Sequence, residues 1–86
     1  MAVRKINNNF NVISENLRRI RKENHLSQAD LTNELNLLGI NVHKNDIYLI
    51  EANKRTVKDY ELWGFCKVLK VDYSDLFGGI ENKIES

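Results

Sequence analysis

The 86-residue sequence predicts an all-α protein built from a few short helices. Strand signals are weak, because strand-forming residues do not alternate with polar ones and no Asn-Gly or Asp-Gly hairpin turn is present. Apolar residues recur instead at spacings of three and four, which place them on one face of a helix. The two clearest series are Ile13, Leu17 and Ile20, and Leu31, Leu35 and Leu38.

Local signals delimit the first two helices. The first contains the Ile13 series and ends at the Asn-His pair 24–25, since Asn tolerates a left-handed conformation. A Ser-x-x-Asp pattern over residues 27–30 is close to a capping box and begins the second helix. Its apolar series, widened by Leu37, ends at Gly39.

Three further helices follow a short connection, residues 40–43, with two apolar anchors. The third spans residues 44–52 and ends at Asn53, another residue suited to a left-handed turn. The fourth spans residues 59–70, and the fifth lies within residues 72–79, between an Asp-x-x-Asp cap and a Gly-Gly pair. The predicted inward positions of the fourth helix are Leu62, Phe65, Cys66 and Leu69.

The length allows one small domain. We expect a flexible N-terminal arm over residues 1–11, a helical domain over 12–78 and a C-terminal tail over 79–86. No apolar run is long enough for a membrane span, and no signal-peptide pattern is present, so a cytoplasmic location is expected. The single cysteine, Cys66, excludes an intramolecular disulfide and a cysteine-based zinc site, and is expected to be a buried structural thiol.

The net charge of +1 conceals an asymmetry along the chain. Residues 1–58 contain 10 basic and 6 acidic side chains, whereas residues 59–86 contain 3 and 6. A net +4 in the first part and −3 in the second are compatible with one face turned toward phosphate.

The segment 26–71 has the sequence form of a helix-turn-helix, with two short helices, a polar outward side on the second, and a basic loop. Over about residues 13–77 the chain resembles the lambda-repressor-like Cro/repressor proteins, the XRE family. The markers, in order, are Leu26-Ser27-Gln28, Ile47-x-x-Ile50-Glu51, Ala52-Asn53-Lys54-Arg55, Asp59-Tyr60-Glu61-Leu62, Leu69-Lys70-Val71 and Asp72-x-x-Asp75-Leu76-Phe77. Two departures are Asn53, where the family has Gly, and a connection over residues 36–43 that is several residues longer than usual.

The resemblance implies a compact five-helix fold whose third helix, residues 44–52, enters the DNA major groove. Lys44 would then donate to guanine, Asn45 would pair with adenine, and Leu49 would touch a thymine methyl. Tyr48 suits a base or backbone contact, and His43 suits an N-cap, a surface position or a phosphate contact. The alternatives are solvated surface for the polar residues and a core position for Leu49.

Phosphate contacts are implied at two further places. Gln28, at the start of the second helix, would bond a phosphate and support a side chain of the recognition helix. Asn53, Lys54 and Arg55 form a loop suited to clamping phosphates, with a solvated turn as the alternative.

Arg21 and Glu51 have a structural role by the same resemblance. An Arg in the first helix and the Glu of the Ile-x-x-Ile-Glu segment would form a partly buried ion pair that fixes the first helix against the third. The alternative is a different partner for Glu51.

The implied function is that of a sequence-specific regulator of transcription, most often a repressor, that binds double-stranded DNA as a homodimer in a prokaryotic or phage cytoplasm, at the nucleoid. The candidate dimer surface is an apolar patch formed by Trp63, Tyr73, Phe77, Ile80 and Ile84. The alternative is a helix-turn-helix protein-interaction module, such as an antitoxin or a regulatory partner subunit. No nucleophile–base pair, phosphate loop or ligand cluster is visible, so neither an enzyme nor a cofactor or metal is expected.

Overall fold

The computed structural model describes residues 8–81, which form α-helices without any β-strand. The helices are α1 (Ser14–Glu23), α2 (Gln28–Leu37), α3 (Lys44–Glu51), α4 (Asp59–Leu69) and α5 (Tyr73–Leu76). The radius of gyration is 12.5 Å, close to the roughly 12 Å expected for a compact chain of this length. For the described part of the chain, residues 8–81, the prediction of an all-α fold is confirmed, and each of the five predicted helices is present. Within residues 8–81, no helix has the length and apolarity that crossing a membrane requires.

One hydrophobic core joins all five helices. Its buried apolar residues are Ile13, Leu17, Ile20, Leu31, Leu35, Ile40, Val42, Ile47, Ile50, Phe65, Leu69 and Leu76. The predicted series on α1 is buried throughout, and Leu31 and Leu35 of the second series are buried. In the predicted inward row of α4, Phe65 and Leu69 are buried, whereas Leu62 and Cys66 pack partly buried against the core.

The end of the second apolar series was predicted wrongly. Leu37 is 81% exposed and Leu38 42% exposed, because α2 ends at Leu37 and the chain turns sharply at Gly39. The turn carries Ile40 and Val42 into the core instead. The two apolar anchors predicted for the connection are therefore confirmed, and they replace the leucines in the packing.

The first four helices share one type of ending. A residue with positive φ follows each of them, namely His25, Gly39, Asn53 and Lys70. Beyond it, the next N–H donates back to a carbonyl five residues earlier, the bond of a Schellman motif. These bonds are Leu26 to Arg21, Ile40 to Leu35, Lys54 to Leu49 and Val71 to Cys66. The left-handed turns predicted at Gly39 and Asn53 are confirmed. At the end of α1 it is His25, rather than Asn24, that adopts this conformation.

Gly64 allows α4 to approach the end of α2 and the connection that follows it. A Cβ atom at this position would overlap the Cδ1 atom of Ile40 and lie 2.8 Å from Cδ2 of Leu35. Sequence patterns do not reveal this requirement, because Ile40 and Leu35 are distant along the chain.

Near both ends of the described residues the chain makes hydrogen bonds to the rest of the domain or to its own backbone. Residues 9–11 are hydrogen-bonded to the loop after α3, although the sequence predicts one flexible arm over residues 1–11. At the other end, the Ile80 N–H donates to the Phe77 carbonyl, and helical backbone resumes at residues 80–81. Residues 1–7 and Ile84 lie outside the described part.

Candidate nucleic-acid interface

The third helix separates an inward apolar side from an outward polar side. Ile47 and Ile50 are completely buried, whereas Lys44, Asn45 and Tyr48 are exposed. This division follows from the helical period, which turns positions 44, 45 and 48 away from the core. Leu49 is partly buried, between the two alternatives that the sequence left open.

His43 occupies the N-cap position of α3, one of the three places that the sequence allowed for it. Its N–H donates to the carboxylate of Asp46 at 2.9 Å, and its side chain is exposed. The Asp46 carboxylate also lies 3.6 Å from Nε of Arg55. The start of α3 is thereby tied to the loop at its other end.

Arg21 and Glu51 form the ion pair that the resemblance implies. Arg21 donates from Nε to Oε2 at 2.7 Å and from Nη2 to Oε1 at 3.0 Å, and the two side chains are only 8% and 4% exposed. Arg21 Nη1 also donates to the Leu26 carbonyl at 2.8 Å. The pair fixes α1 and the turn before α2 to the C-terminal end of α3.

Gln28 joins this network from the first turn of α2. Its Nε2 donates to Oε1 of Glu51 at 3.1 Å, so the side chain supports α3 through Glu51. The same helix start holds a capping box, in which Ser27 Oγ accepts from the Asp30 N–H and the Asp30 carboxylate accepts from the Ser27 N–H. This confirms the predicted cap. Backbone and side-chain hydrogen bonds from Ser27 lower the pKa of Asp30.

The three residues predicted to form a phosphate clamp are used differently. Asn53 accepts from the N–H groups of Phe10 and Asn11, so its side chain faces the N-terminal segment. Arg55 points inward into an ion pair. Lys54 is exposed and has no ion-pair or hydrogen-bond partner for its side chain among residues 8–81.

The partner of Arg55 is Glu61, a residue that sequence reasoning missed. Two guanidinium–carboxylate bonds of 2.9 Å join them, and the Lys58 N–H donates to the same carboxylate. Glu61 is 1% exposed. Burial acts to raise its pKa, but the hydrogen bonds from Arg55 and Lys58 outweigh burial, so the pKa of Glu61 is lowered. The hydrogen bond to Glu61 raises the pKa of Arg55. The available signal was an acidic residue in the first turn of α4.

A second exposed surface consists of aromatic residues on α4 and α5. Trp63 and Tyr73 are 41% and 50% exposed and line a groove of about 490 Å³. The Lys67 ammonium lies 5.9 Å from the centre of the Trp63 ring. Within the predicted C-terminal patch, Phe77 and Ile80 are partly buried.

Cys66 lines the same groove as a free thiol and is only partly buried. Desolvation, followed by the charges of Asp72 and Asp75, raises its pKa, which makes the thiolate scarce at neutral pH. Among residues 8–81, no group of three or more His, Cys, Asp or Glu side chains is arranged to hold a metal ion.

No protein-family model matches the chain, and no curated protein matches it.

Proposed function

We propose that this protein is a sequence-specific double-stranded DNA-binding regulator of the lambda-repressor-like helix-turn-helix class, with α3 as its recognition helix. The observation that carries the proposal is the division of α3. Ile47 and Ile50 anchor the helix in the core, and Lys44, Asn45 and Tyr48 are exposed together. An exposed polar helix face held on a rigid base is what reading base edges in the major groove requires.

The side chains on this face match the chemistry of base edges. Lys44 supplies a cationic donor for guanine O6 and N7, and Asn45 can both donate to and accept from adenine. Tyr48 reaches a base or a backbone phosphate from the next turn, and the exposed part of Leu49 suits a thymine methyl.

Backbone contacts are assigned to Lys54 and to the start of α2. Lys54 is the exposed cation of the loop, whereas Arg55 acts indirectly by holding that loop against Glu61. Gln28 can offer its second amide hydrogen to a phosphate while it donates the first to Glu51. Of the two cations of this loop predicted to contact phosphate, we therefore retain Lys54 and assign Arg55 a structural role.

A homodimer would bind a two-fold symmetric site, with recognition helices about 34 Å apart. Its proposed contact is the groove between Trp63 and Tyr73, which is lined by Lys67 and Lys70 and also by Asp72 and Asp75. A two-fold axis through this groove would bring the lysines of one copy toward the aspartates of the other.

Selection of bound duplexes from a randomised DNA pool tests the proposal. We expect one preferred palindromic site, and we expect Lys54→Gln to lower the slope of log affinity against log salt by about one. Lys22→Gln is the matched control, since Lys22 is exposed on α1 and belongs neither to the proposed DNA contacts nor to the lining of the dimer groove. Failure to select any preferred site at low salt would contradict DNA-sequence recognition.

A protein-interaction module is the second candidate function. The exposed aromatic side chains Tyr60, Trp63 and Tyr73 favour it, because the proposed DNA interface uses none of them. The same selection separates the two functions, since an interaction module such as an antitoxin or partner subunit without DNA recognition would select no site.

A further inference from the structure

Three asparagines connect the N-terminal segment to the loop after α3. Asn53 Oδ1 accepts from the N–H groups of Phe10 and Asn11 at 2.9 and 3.2 Å, and Asn53 Nδ2 donates to Asn9 Oδ1 at 2.6 Å. We call this set of contacts of Asn9, Asn11 and Asn53 the asparagine clasp.

Asn11 is the buried centre of the clasp. Its Nδ2 donates to the Ile50 carbonyl at 3.0 Å and to the Arg55 carbonyl at 2.9 Å, and its Oδ1 accepts from the Ile13 N–H. The first two bonds bridge the last turn of α3 and the far end of the loop. One side chain therefore sets the separation between the two ends of the segment 51–54.

The clasp explains why residue 53 is an asparagine, although glycine would adopt this backbone conformation more easily. Asn53 has a φ of 58°, a conformation that glycine adopts without steric cost. Asn tolerates this conformation less well but contributes a side chain, and here both polar atoms of that side chain are used.

The clasp also determines what the loop presents to solvent. Asn53 is held against the N-terminal segment and Arg55 is held by Glu61, so Lys54 projects alone between two fixed neighbours. A cation on a preorganised loop loses less conformational entropy when it binds than the same cation on a mobile loop.

We propose that Asn53 and Asn11 are positioning residues of the DNA interface. By closing the clasp they hold the loop 52–55 in the conformation that presents Lys54 to a phosphate. This assignment rests on the proposed function. It adds residues that touch no DNA themselves and that act on affinity through the loop.

The test is Asn53→Gly, which keeps the left-handed backbone and removes the side chain. His25→Gly is the matched control, because His25 has nearly the same φ at the same position after α1 and lies outside the clasp. Binding is measured on the palindromic duplex recovered by selection with the unaltered protein, well below the melting temperature of each variant. Amide hydrogen exchange of Lys54 and Arg55 is measured in parallel without DNA.

We expect Asn53→Gly to weaken binding about 3- to 10-fold, because the loop that presents Lys54 loses order before it binds. Exchange at Lys54 and Arg55 should accelerate, and His25→Gly should change neither quantity. Asn9→Ala removes the Asn53 Nδ2 bond alone and should give a smaller change in the same direction, which supplies a readout if Asn53→Gly does not fold.

The failures of the two proposals are distinguishable. Unchanged affinity in Asn53→Gly, with intact binding by the unaltered protein, overturns the positioning role and leaves the proposed function standing. Weakened binding in Asn53→Gly with unchanged amide exchange at Lys54 and Arg55 also overturns it, since the loss of affinity would then not pass through the order of the loop. If the unaltered protein selects no duplex, the proposed function itself fails.

Discussion

Arg21 and Arg55 each meet a carboxylate that is almost completely buried, and each pair joins separate parts of the fold. Arg21 pairs with Glu51 across α1 and α3, and Arg55 pairs with Glu61 across the loop and α4. Buried pairs of this kind gain little over apolar residues, but removal of one partner leaves an uncompensated charge. The arginines are therefore structural even though both belong to the basic part of the chain.

Glu51→Ala should destabilise the protein by about 3–5 kcal/mol, because it strands the Arg21 guanidinium in the interior. The free energy of unfolding, measured by urea titration, checks this value. Glu23→Ala is the control, since it removes the exposed Arg19–Glu23 pair and should cost less than about 1 kcal/mol. A melting temperature unchanged in Glu51→Ala would refute a structural role for the pair.

Protonation of Glu61 should lower the free energy of unfolding at acid pH. Its pKa is lowered in the folded state, so its contribution is fully present above the unfolded value of about 4.3 and disappears as the pH drops through the folded value. Urea titrations between pH 7 and pH 3 should show this loss. In Glu61→Gln the free energy of unfolding should decrease less between pH 7 and pH 3 than in the unaltered protein. Asp30→Asn should also reduce this decrease, since the pKa of Asp30 is lowered as well. The same decrease in Glu61→Gln and in the unaltered protein would show that Glu61 does not cause the loss of stability in acid.

At the scale of the elements, the helices are short and their ends are strongly specified. The Schellman bonds after α1 to α4 satisfy carbonyls that would otherwise lack partners, and each needs a residue with positive φ. Only Gly39 provides that conformation at no steric cost. His25, Asn53 and Lys70 adopt it under strain, and of these only Asn53 recovers side-chain hydrogen bonds within the clasp.

Lys70→Gly should therefore stabilise the protein by about 0.5–1 kcal/mol, since relief of the left-handed strain exceeds the added chain entropy of glycine. Thermal unfolding checks this, with an expected rise of a few degrees. Lys70→Ala is the matched control, because it removes the same charge and retains a Cβ atom. Equal melting temperatures for the two variants would show that left-handed strain at residue 70 does not lower the stability of the protein.

The long connection between α2 and α3 shows how elements adjust to one another. Leu37 and Leu38 are exposed, while Ile40 and Val42 enter the core after the turn at Gly39. The connection is thereby anchored at two points, and Gly64 of α4 leaves room for the Ile40 side chain. Burial of Ile40 and Val42 therefore keeps the connection packed on the core.

At the scale of the whole molecule, ion pairs occupy some of the basic side chains that the sequence concentrates in residues 1–58. Arg19, Arg21 and Arg55 are engaged in ion pairs, whereas Lys44 and Lys54 are exposed on α3 and on the loop that follows it. The net charge of only +1 implies weak non-specific binding. Base contacts and self-association would then have to supply most of the affinity.

Self-association should depend on the aromatic groove. Trp63→Ser should shift the sedimentation-equilibrium distribution toward monomer, because Trp63 contributes exposed apolar surface to the groove. Leu37→Ser is the control, since Leu37 is more exposed but lies on α2. A protein that is monomeric at all concentrations before substitution would contradict the proposed homodimer.

The sequence by itself determined the helices, the cap at Ser27 and the turns at Gly39 and Asn53, because these features depend on residues within a few positions of one another. Only the tertiary structure decided the asparagine clasp and the burial of the Arg55–Glu61 pair, whose residues lie six positions apart. It also decided the exposure of Leu37 and the close approach at Gly64. The clasp joins residues more than 40 positions apart, and burial at Gly64 and Leu37 depends on how neighbouring elements pack. Sequence patterns over a few residues do not show which distant residue will pack against a given side chain.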